Sequence, residues 1–168
     1  MRWTKRKQLI EDFIYDPLKN RISINRIVYR KSHDEEARMT ITFDKQEIFT
    51  ADNIQFALKS FELEKQGVGK EYQPFNCDDK KIDLFEKTIR DAAEAEGKYA
   101  VYHLEDFFDY FLLSVEEALQ HSHVLIRAFA MLDKRLGKRR FSTLDISNEH
   151  KLVQQFYEIR KQSWESNA

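Results

Sequence analysis

Hydrophobic positions along this chain recur mostly every three or four residues, apart from one stretch near the N-terminus where they recur every second residue. Over residues 4–15, Leu9, Ile10, Phe13 and Ile14 share one stripe, which predicts a helix with Thr4 as its cap and Asp16-Pro17 as its stop. The period then falls to two. Residues 21–30 alternate Ile22 and Ile24, then shift phase to Ile27 and Tyr29, the pattern of a strand with a bulge near Asn25 and Arg26. Residues 38–50 alternate Met39, Ile41 and Phe43 against Thr40 and Thr42, turn through Asp44-Lys45-Gln46 and run on to Thr50, which is the pattern of a hairpin.

From residue 52 onward helical spacing prevails. Residues 52–65 carry Ile54, Phe56, Ala57, Leu58 and Phe61, with Asp52 as the cap and Gly67 and Gly69 marking the exit. Residues 70–78 read as a loop, and 79–96 as a helix built on Ile82, Phe85 and Ile89 that stops before Gly97. Leu104, Phe107, Phe108, Phe111 and Leu112 fall on one broad stripe over 103–113. Ser114 and Glu117 have capping-box spacing and open a short helix over 114–120. Ser122 caps the next helix, over 123–136, which closes at Gly137, and the last helix follows Ser147 or Asn148 with Leu152, Phe156 and Ile159 on one face.

The fold class predicted is α+β: an N-terminal helix, a three-stranded antiparallel meander, then five or six helices packed around a central helix at about 123–136. Val124, Leu125, Ala128, Phe129, Met131, Leu132 and Leu136 cover more than half the circumference of that helix, so it belongs between other elements. Only four Gly and two Pro agree with long helices and few sharp turns.

Composition narrows the function classes. A chain of 168 residues fits a single domain, 1–168, and folding at that size hides roughly 70% of the surface the unfolded chain exposes. With 42% hydrophobic and 34% charged residues, disorder is excluded as the main state. Lys plus Arg number 28 against 29 Asp plus Glu, so no global field attracts the chain to nucleic acid or to an anionic membrane. The basic opening "MRWTKRKQLIEDF" lacks the apolar run of a secretory signal, and "AFAML" is too short to span a bilayer, which points to the cytoplasm and away from membranes.

Charge is concentrated in one place, "LDKRLGKRR", where Lys134, Arg135, Lys138, Arg139 and Arg140 lie at the end of the predicted central helix and just beyond it. Cations there complement the negative end of the helix dipole, and Gly137 is expected to supply a left-handed C-cap, so that Gly137→Val should destabilise the fold. That role accounts for two or three of the five charges. Arg127, inside the apolar stretch, needs an acceptor, with Glu116, Glu117 and Asp133 as candidates. Arg127, Asp133 and Gly137 are therefore read as structural.

The blocks "MLDKRLGKRR" and "LVQQFYEIR", together with the opening "MRW" and the hairpin "ITFDKQEI", resemble a family of small uncharacterised bacterial proteins. In that family a "MLD-(K/R)-R-(L/V)-GKRR" block precedes an "LV-x-x-FY-x-(L/I)-R" helix. The resemblance spans most of the chain, implies a bacterial origin and a whole-chain domain, and transfers no mechanism. Its members carry Asp-Gly in the hairpin where this chain has Asp44-Lys45, which puts a two-residue type I′ turn in question.

Catalytic chemistry finds little support in the pattern. His33, His103, His121, His123 and His150 include no i, i+4 pair, and the two-apart His121 and His123 fit helix entry better than a metal site, which remains open for them. Cys77 has no disulfide partner, and Asp78 and Asp79 disfavour its thiolate. Carboxylates such as Asp34, Glu35, Glu36, Glu105, Asp106 and Asp109 read as solvated faces, and no phosphate loop or nucleophile elbow occurs. No catalytic residue, metal or cofactor is therefore assigned.

Two readings remain. In the first, the chain is a non-catalytic intracellular protein-binding module of the immunity or antitoxin kind, with the acid-rich "EDFFDYF" and "SVEEAL" segments as interface candidates, although most of their Phe residues are expected in the core. In the second, Lys134, Arg135, Lys138, Arg139 and Arg140, with Arg21, Arg26 and Arg30 on the sheet, bind phosphate or nucleic acid.

Overall fold

A computed structural model of the chain describes residues 1–29, 36–76 and 78–165. Arg30, His33, Asp34, Glu35 and Cys77 lie outside the described residues. The fold class is α+β, with an N-terminal helix, a three-stranded antiparallel sheet and a series of helices. Contacts divide the chain into two compact units, one made of Met1–Ile24, Ile41–Phe49 and Leu104–Ala168, the other of Asn25–Thr40 and Thr50–His103. The three strands contribute residues to both.

In the first unit, α1 (Trp3–Glu11) buries Ile10, and Thr4 lies inside the helix instead of capping it. The helix starts early because Trp3 sets its ring edge-on to Phe108, with centroids 5.4 Å apart. Pro17 opens a 3-10 turn, Asp16–Leu18, that drives Leu18 into the core. The strands β1 (Ile22–Val28), β2 (Ala37–Phe43) and β3 (Gln46–Asp52) follow in the order β1-β2-β3. Past Ile24 the side chains of β1 are exposed, Ile27 among them, so the shift of phase in the sequence does not mark a second buried face.

Asp44 (φ 48°) and Lys45 (φ 68°) both lie in the left-handed region between β2 and β3. This is a two-residue turn of type I′ geometry, formed without glycine. Asp44 is held in it by Arg21, whose Nε and terminal nitrogen donate to the two carboxylate oxygens at 3.0 and 2.6 Å, and the guanidinium rests 4.5 Å from the centre of the Phe43 ring. That fork lowers the Asp44 carboxyl below its usual range.

The second unit holds α2 (Asn53–Lys65) and α3 (Asp79–Ala95), which pack together. Asp52 caps α2, accepting from the Ile54 and Gln55 amides at 2.9 and 3.1 Å, and Asp78 caps α3. Within the predicted loop, Lys70–Tyr72 makes a 3-10 turn. Phe56, Leu63, Ile89, Ala93 and Ala100 form the core of this unit.

The helix predicted over 103–113 is broken into a 3-10 turn at Val101–His103, α4 (Glu105–Phe108) and a second 3-10 turn at Tyr110–Leu112. The break lets Tyr110 turn inward, where its ring meets Phe129 at 4.8 Å and its hydroxyl donates to Asp133 at 2.7 Å. Then come α5 (Val115–Gln120), α6 (Val124–Ala130), α7 (Lys138–Phe141) and α8 (Lys151–Glu165). Ser114 and Glu117 close the capping box of α5 from both sides. The cap of α6 is His123, not Ser122, and α8 begins later than Ser147 or Asn148, at a cap formed by His150.

The central helix is shorter than its apolar pattern. Five of the seven residues of α6 are buried, and it packs between α5 and α8, but it ends at Ala130; Met131 keeps helical backbone angles as its C-cap, and residues 132–136 continue in turns. Two sets of bonds pull them away. On one side Asp133 bridges to Ile14, the Tyr15 amide donates to the Leu132 carbonyl and the Lys134 amide to the Phe13 carbonyl, both at 2.7 Å. On the other side lies Arg160. No helix among the described residues is long and apolar enough to cross a membrane.

Candidate functional site

Arg160 stands four residues after Phe156 and eight after Leu152, on the apolar face of α8, and its side chain is almost fully buried. Its guanidinium donates to the carbonyls of Met131 (3.0 Å), Asp133 (2.7 Å) and Leu136. The rings of Tyr15 and Phe141 flank it at 4.6 and 4.8 Å. Carbonyls of a continuing α-helix would be taken by amides four residues on; past Ala130 the chain instead tightens into bonds three residues back and then turns, and the Met131, Asp133 and Leu136 carbonyls meet one cation. Burial pushes the Arg160 guanidinium down to about 10, still charged at neutral pH. The "MLDKRLG" and "FYEIR" blocks are thus two halves of one contact.

Asp133 is the second buried polar group here. Its oxygens accept from the Tyr110 hydroxyl, the Arg135 side chain and the Arg135 amide, the last at 2.8 Å. Arg135 also donates to the Leu113 carbonyl at 2.7 Å and stacks 3.9 Å from the Phe13 ring centre. Burial, and then the Asp133 charge, hold the Tyr110 phenol far above its ordinary range, so it stays a donor. Both Asp133 oxygens are thus engaged by donors inside the first unit.

The basic run is divided among different tasks. Arg135 belongs to Asp133, Arg140 pairs with Glu116, and Lys138 sits 5.1 Å from the Trp164 ring centre. Lys134 and Arg139 are exposed and make no ion pair among the described residues. Lys138, Arg139 and Arg140 lie within α7 and do not trail a helix end. Gly137 precedes α7 in an extended conformation (φ −60°, ψ 153°), with open space around any Cβ, and is not a left-handed C-cap, because the preceding helix has already ended. Arg21 is held by Asp44, Arg26 lies on β1 within the second unit, and Arg30 is not among the described residues.

Arg127 takes none of its three predicted partners. It donates to Glu149 at 3.3 Å and to the carbonyls of His121 and Ser122 at 2.7 and 3.0 Å, because Glu116, Glu117 and Asp133 serve Arg140, the capping box and Arg135. His121, His123 and His150 each use Nδ1 to accept a backbone amide, at 3.0, 3.2 and 3.1 Å, which gives His121 and His123 a helix-entry role. Among the described residues no three His, Cys, Asp or Glu side chains are grouped to hold a metal ion. In the segment 105–111, Phe107, Phe108 and Tyr110 are buried, as expected of most of its aromatic residues, while Glu105 and Asp106 are exposed and Phe111 is half-buried.

A different surface emerges in the second unit. On α2, Ile54, Leu58 and Phe61 are 40, 61 and 57% exposed at i, i+4, i+7 spacing, while Phe56 and Leu63 on the other side are buried. Between α2 and α3 runs an open groove of about 400 Å3 with a floor of Phe56, Phe75, Ile82, Phe85 and Ile89. Its rim carries Ser60, Glu64, Glu86, Tyr102 and His103. Gly69 (φ +74°) lies so close to Phe85 that a Cβ would stand 2.7 Å from the ring. His103 Nδ1 is 3.8 Å from Glu94, whose carboxyl burial raises above its usual range.

Sequence reasoning missed both Arg160 and the groove. Arg160 had a legible signal, a charged residue at the next i+4 position of the stripe Leu152, Phe156. The groove had a weaker one in the two apolar faces of α2, Phe56 with Leu63 and Ile54 with Leu58 and Phe61. No curated protein and no solved structure matches the chain. A family model does match nearly its whole length, residues 2–161, and the chain belongs to the SF0329 protein family.

Proposed function

We propose that this chain is a non-catalytic, cytoplasmic bacterial module, of the immunity or antitoxin kind, that binds another protein through the α2 face of its second unit. The observation that carries this is the stripe of Ile54, Leu58 and Phe61, three large apolar side chains left open on a helix whose opposite side already packs its core. Contiguous apolar side chains flanked by polar ones such as Asn53, Gln55 and Glu62 have the anatomy of an interface centre with a polar rim. The acidic rim of the neighbouring groove favours a basic partner over nucleic acid. The phosphate-binding alternative has less support, because Arg135, Arg140 and Lys138 are engaged within the first unit.

The test is recovery of partners from a bacterial lysate by the full chain and by a Leu58→Glu, Phe61→Glu variant. Both positions are exposed, so the variant should unfold at the same urea midpoint as the parent. A protein retained by the parent and lost by the variant supports the reading. Retention that ignores the substitutions, or recovery only of nucleic acid that salt removes steeply, refutes it.

A further inference from the structure

The groove of the second unit differs from an ordinary apolar cleft in its charges. Five apolar side chains make its floor, two carboxylates, Glu64 and Glu86, stand on its rim with His103, and among the described residues no Lys or Arg lines it. Neither carboxylate has an ion pair among the described residues. Lys59, the central cation of α2, is committed elsewhere, to Glu96 at 2.7 Å and Glu62 at 3.2 Å. Arg90 on α3 lies 3.9 Å from Asp91 and acts on Glu94, outside the lining. Lys87 is paired with Asp91.

Helix geometry fixes the order of these groups along each wall. Phe56, Ser60 and Glu64 succeed one another every four residues along α2, as Ile82 and Glu86 do along α3, so each wall leads from an apolar floor residue to a carboxylate. The Ser60 hydroxyl already donates to the Phe56 carbonyl at 2.9 Å and does not compete. An occupant must therefore offer an apolar body for the floor and positive charge for the rim; an acidic or phosphorylated one would meet two like charges that no cation among the described residues pairs.

We infer that this groove receives a segment of the partner protein in which an aromatic or aliphatic side chain stands next to Lys or Arg, the apolar group lying on Phe75, Ile82 and Phe85 and the cation between Glu64 and Glu86. The inference deepens the protein-binding reading and rests on it. It also adds a recognition rule, since the exposed stripe of α2 would bind any apolar surface, whereas the groove selects by charge.

A random peptide library displayed on phage and panned against the immobilised full chain tests the rule, followed by fluorescence anisotropy with a labelled synthetic copy of the best binder. The enriched peptides should carry Lys or Arg beside Leu, Ile, Phe or Trp. Glu64→Gln with Glu86→Gln should weaken the best binder about tenfold, the loss of two rim ion pairs, without moving the urea midpoint. Glu64→Lys with Glu86→Lys should turn the selection toward acidic peptides. Enriched peptides without a basic residue, affinity indifferent to the Gln pair, or no enrichment at all would overturn the inference. If it falls while Leu58→Glu, Phe61→Glu still releases the captured protein, the groove is excluded and the protein-binding reading stands; if both fail, the reading itself is lost.

Discussion

Arg160 and Asp133 in the first unit lie inside the protein with carbonyls, a phenol and a guanidinium arranged around them, while Ile54, Leu58 and Phe61 in the second stay 40 to 61% exposed, Phe61 with the Lys65 ammonium 4.2 Å from its ring centre. The first arrangement places polar groups where they are costly unless paired, and pairs them. The second leaves apolar groups where the hydrophobic effect favours covering them. Chemistry that looked functional in the sequence, the cation-rich 134–140 run, belongs largely to the first unit's internal bonding. Apolar positions that looked like ordinary core, on α2, are the ones left available for recognition.

The sharpest way to break this contrast is to remove the buried cation. Arg160→Met keeps an unbranched stem but removes the guanidinium and strands three carbonyls, and it should destabilise the protein by about 4 kcal/mol, read as a fall in the urea midpoint. An unchanged midpoint would mean that residues 131–136 hold their shape without Arg160, and that the first unit is not organised around it.

In the second unit the most sensitive point is Gly69. Alanine there must adopt a left-handed backbone and push on the Phe85 ring, so Gly69→Ala should cost about 2 kcal/mol. Because Phe85 is also part of the groove floor, peptide affinity should fall in parallel. Loss of stability with affinity intact would separate the groove from the packing beneath it.

How far these contrasts could be read beforehand depends on what fixes each element. Capping at Asp52 and Ser114 was legible because a cap acts within three or four residues, and the alternation of Met39, Ile41 and Phe43 was legible because a strand has a strict period. The early end of α6 was not, since its cause is a side chain 24 to 29 positions away, reaching Leu136 and Met131 from α8. Arg127 shows the same limit. Its carboxylate, Glu149, is 22 residues distant, and nearer acids were already in use. The groove depends on the pairing of α2 with α3, which no single helical pattern contains.

The hairpin offers a smaller test, in the stabilising direction. Lys45 holds a left-handed backbone that costs an L residue about 1 kcal/mol, and no glycine relieves it. Lys45→Gly should therefore raise stability by roughly 0.5–1 kcal/mol, with the Arg21–Asp44 fork intact. A decrease would show that the side chain of Lys45 contributes to the turn.

A smaller effect follows from His150 at the start of α8. Burial, and then the charge of Arg127, lower its pKa from 6.5, and its neutral Nδ1 caps the helix. The unfolded chain binds the proton more readily than the folded one, so stability present above about pH 6.5 is lost as pH falls from there toward the depressed folded value. Urea midpoints measured across pH 5 to 8 should show this slope, and His150→Asn, which keeps a capping acceptor without titrating, should flatten it.

The smallest effect is expected at Gly137, where sequence and structure disagree most directly. As the left-handed end of a long helix, the position would reject a β-branched side chain. As the extended residue before α7, with open space around the site of a Cβ, it accepts one, since valine favours extended backbone. Gly137→Val should thus shift stability by less than about 0.5 kcal/mol, the range of exposed substitutions away from special features. A loss of 2 kcal/mol or more in the same urea titration would return Gly137 to the end of a helix running through residue 136, and would remove the carbonyl cradle in which Arg160 is bound.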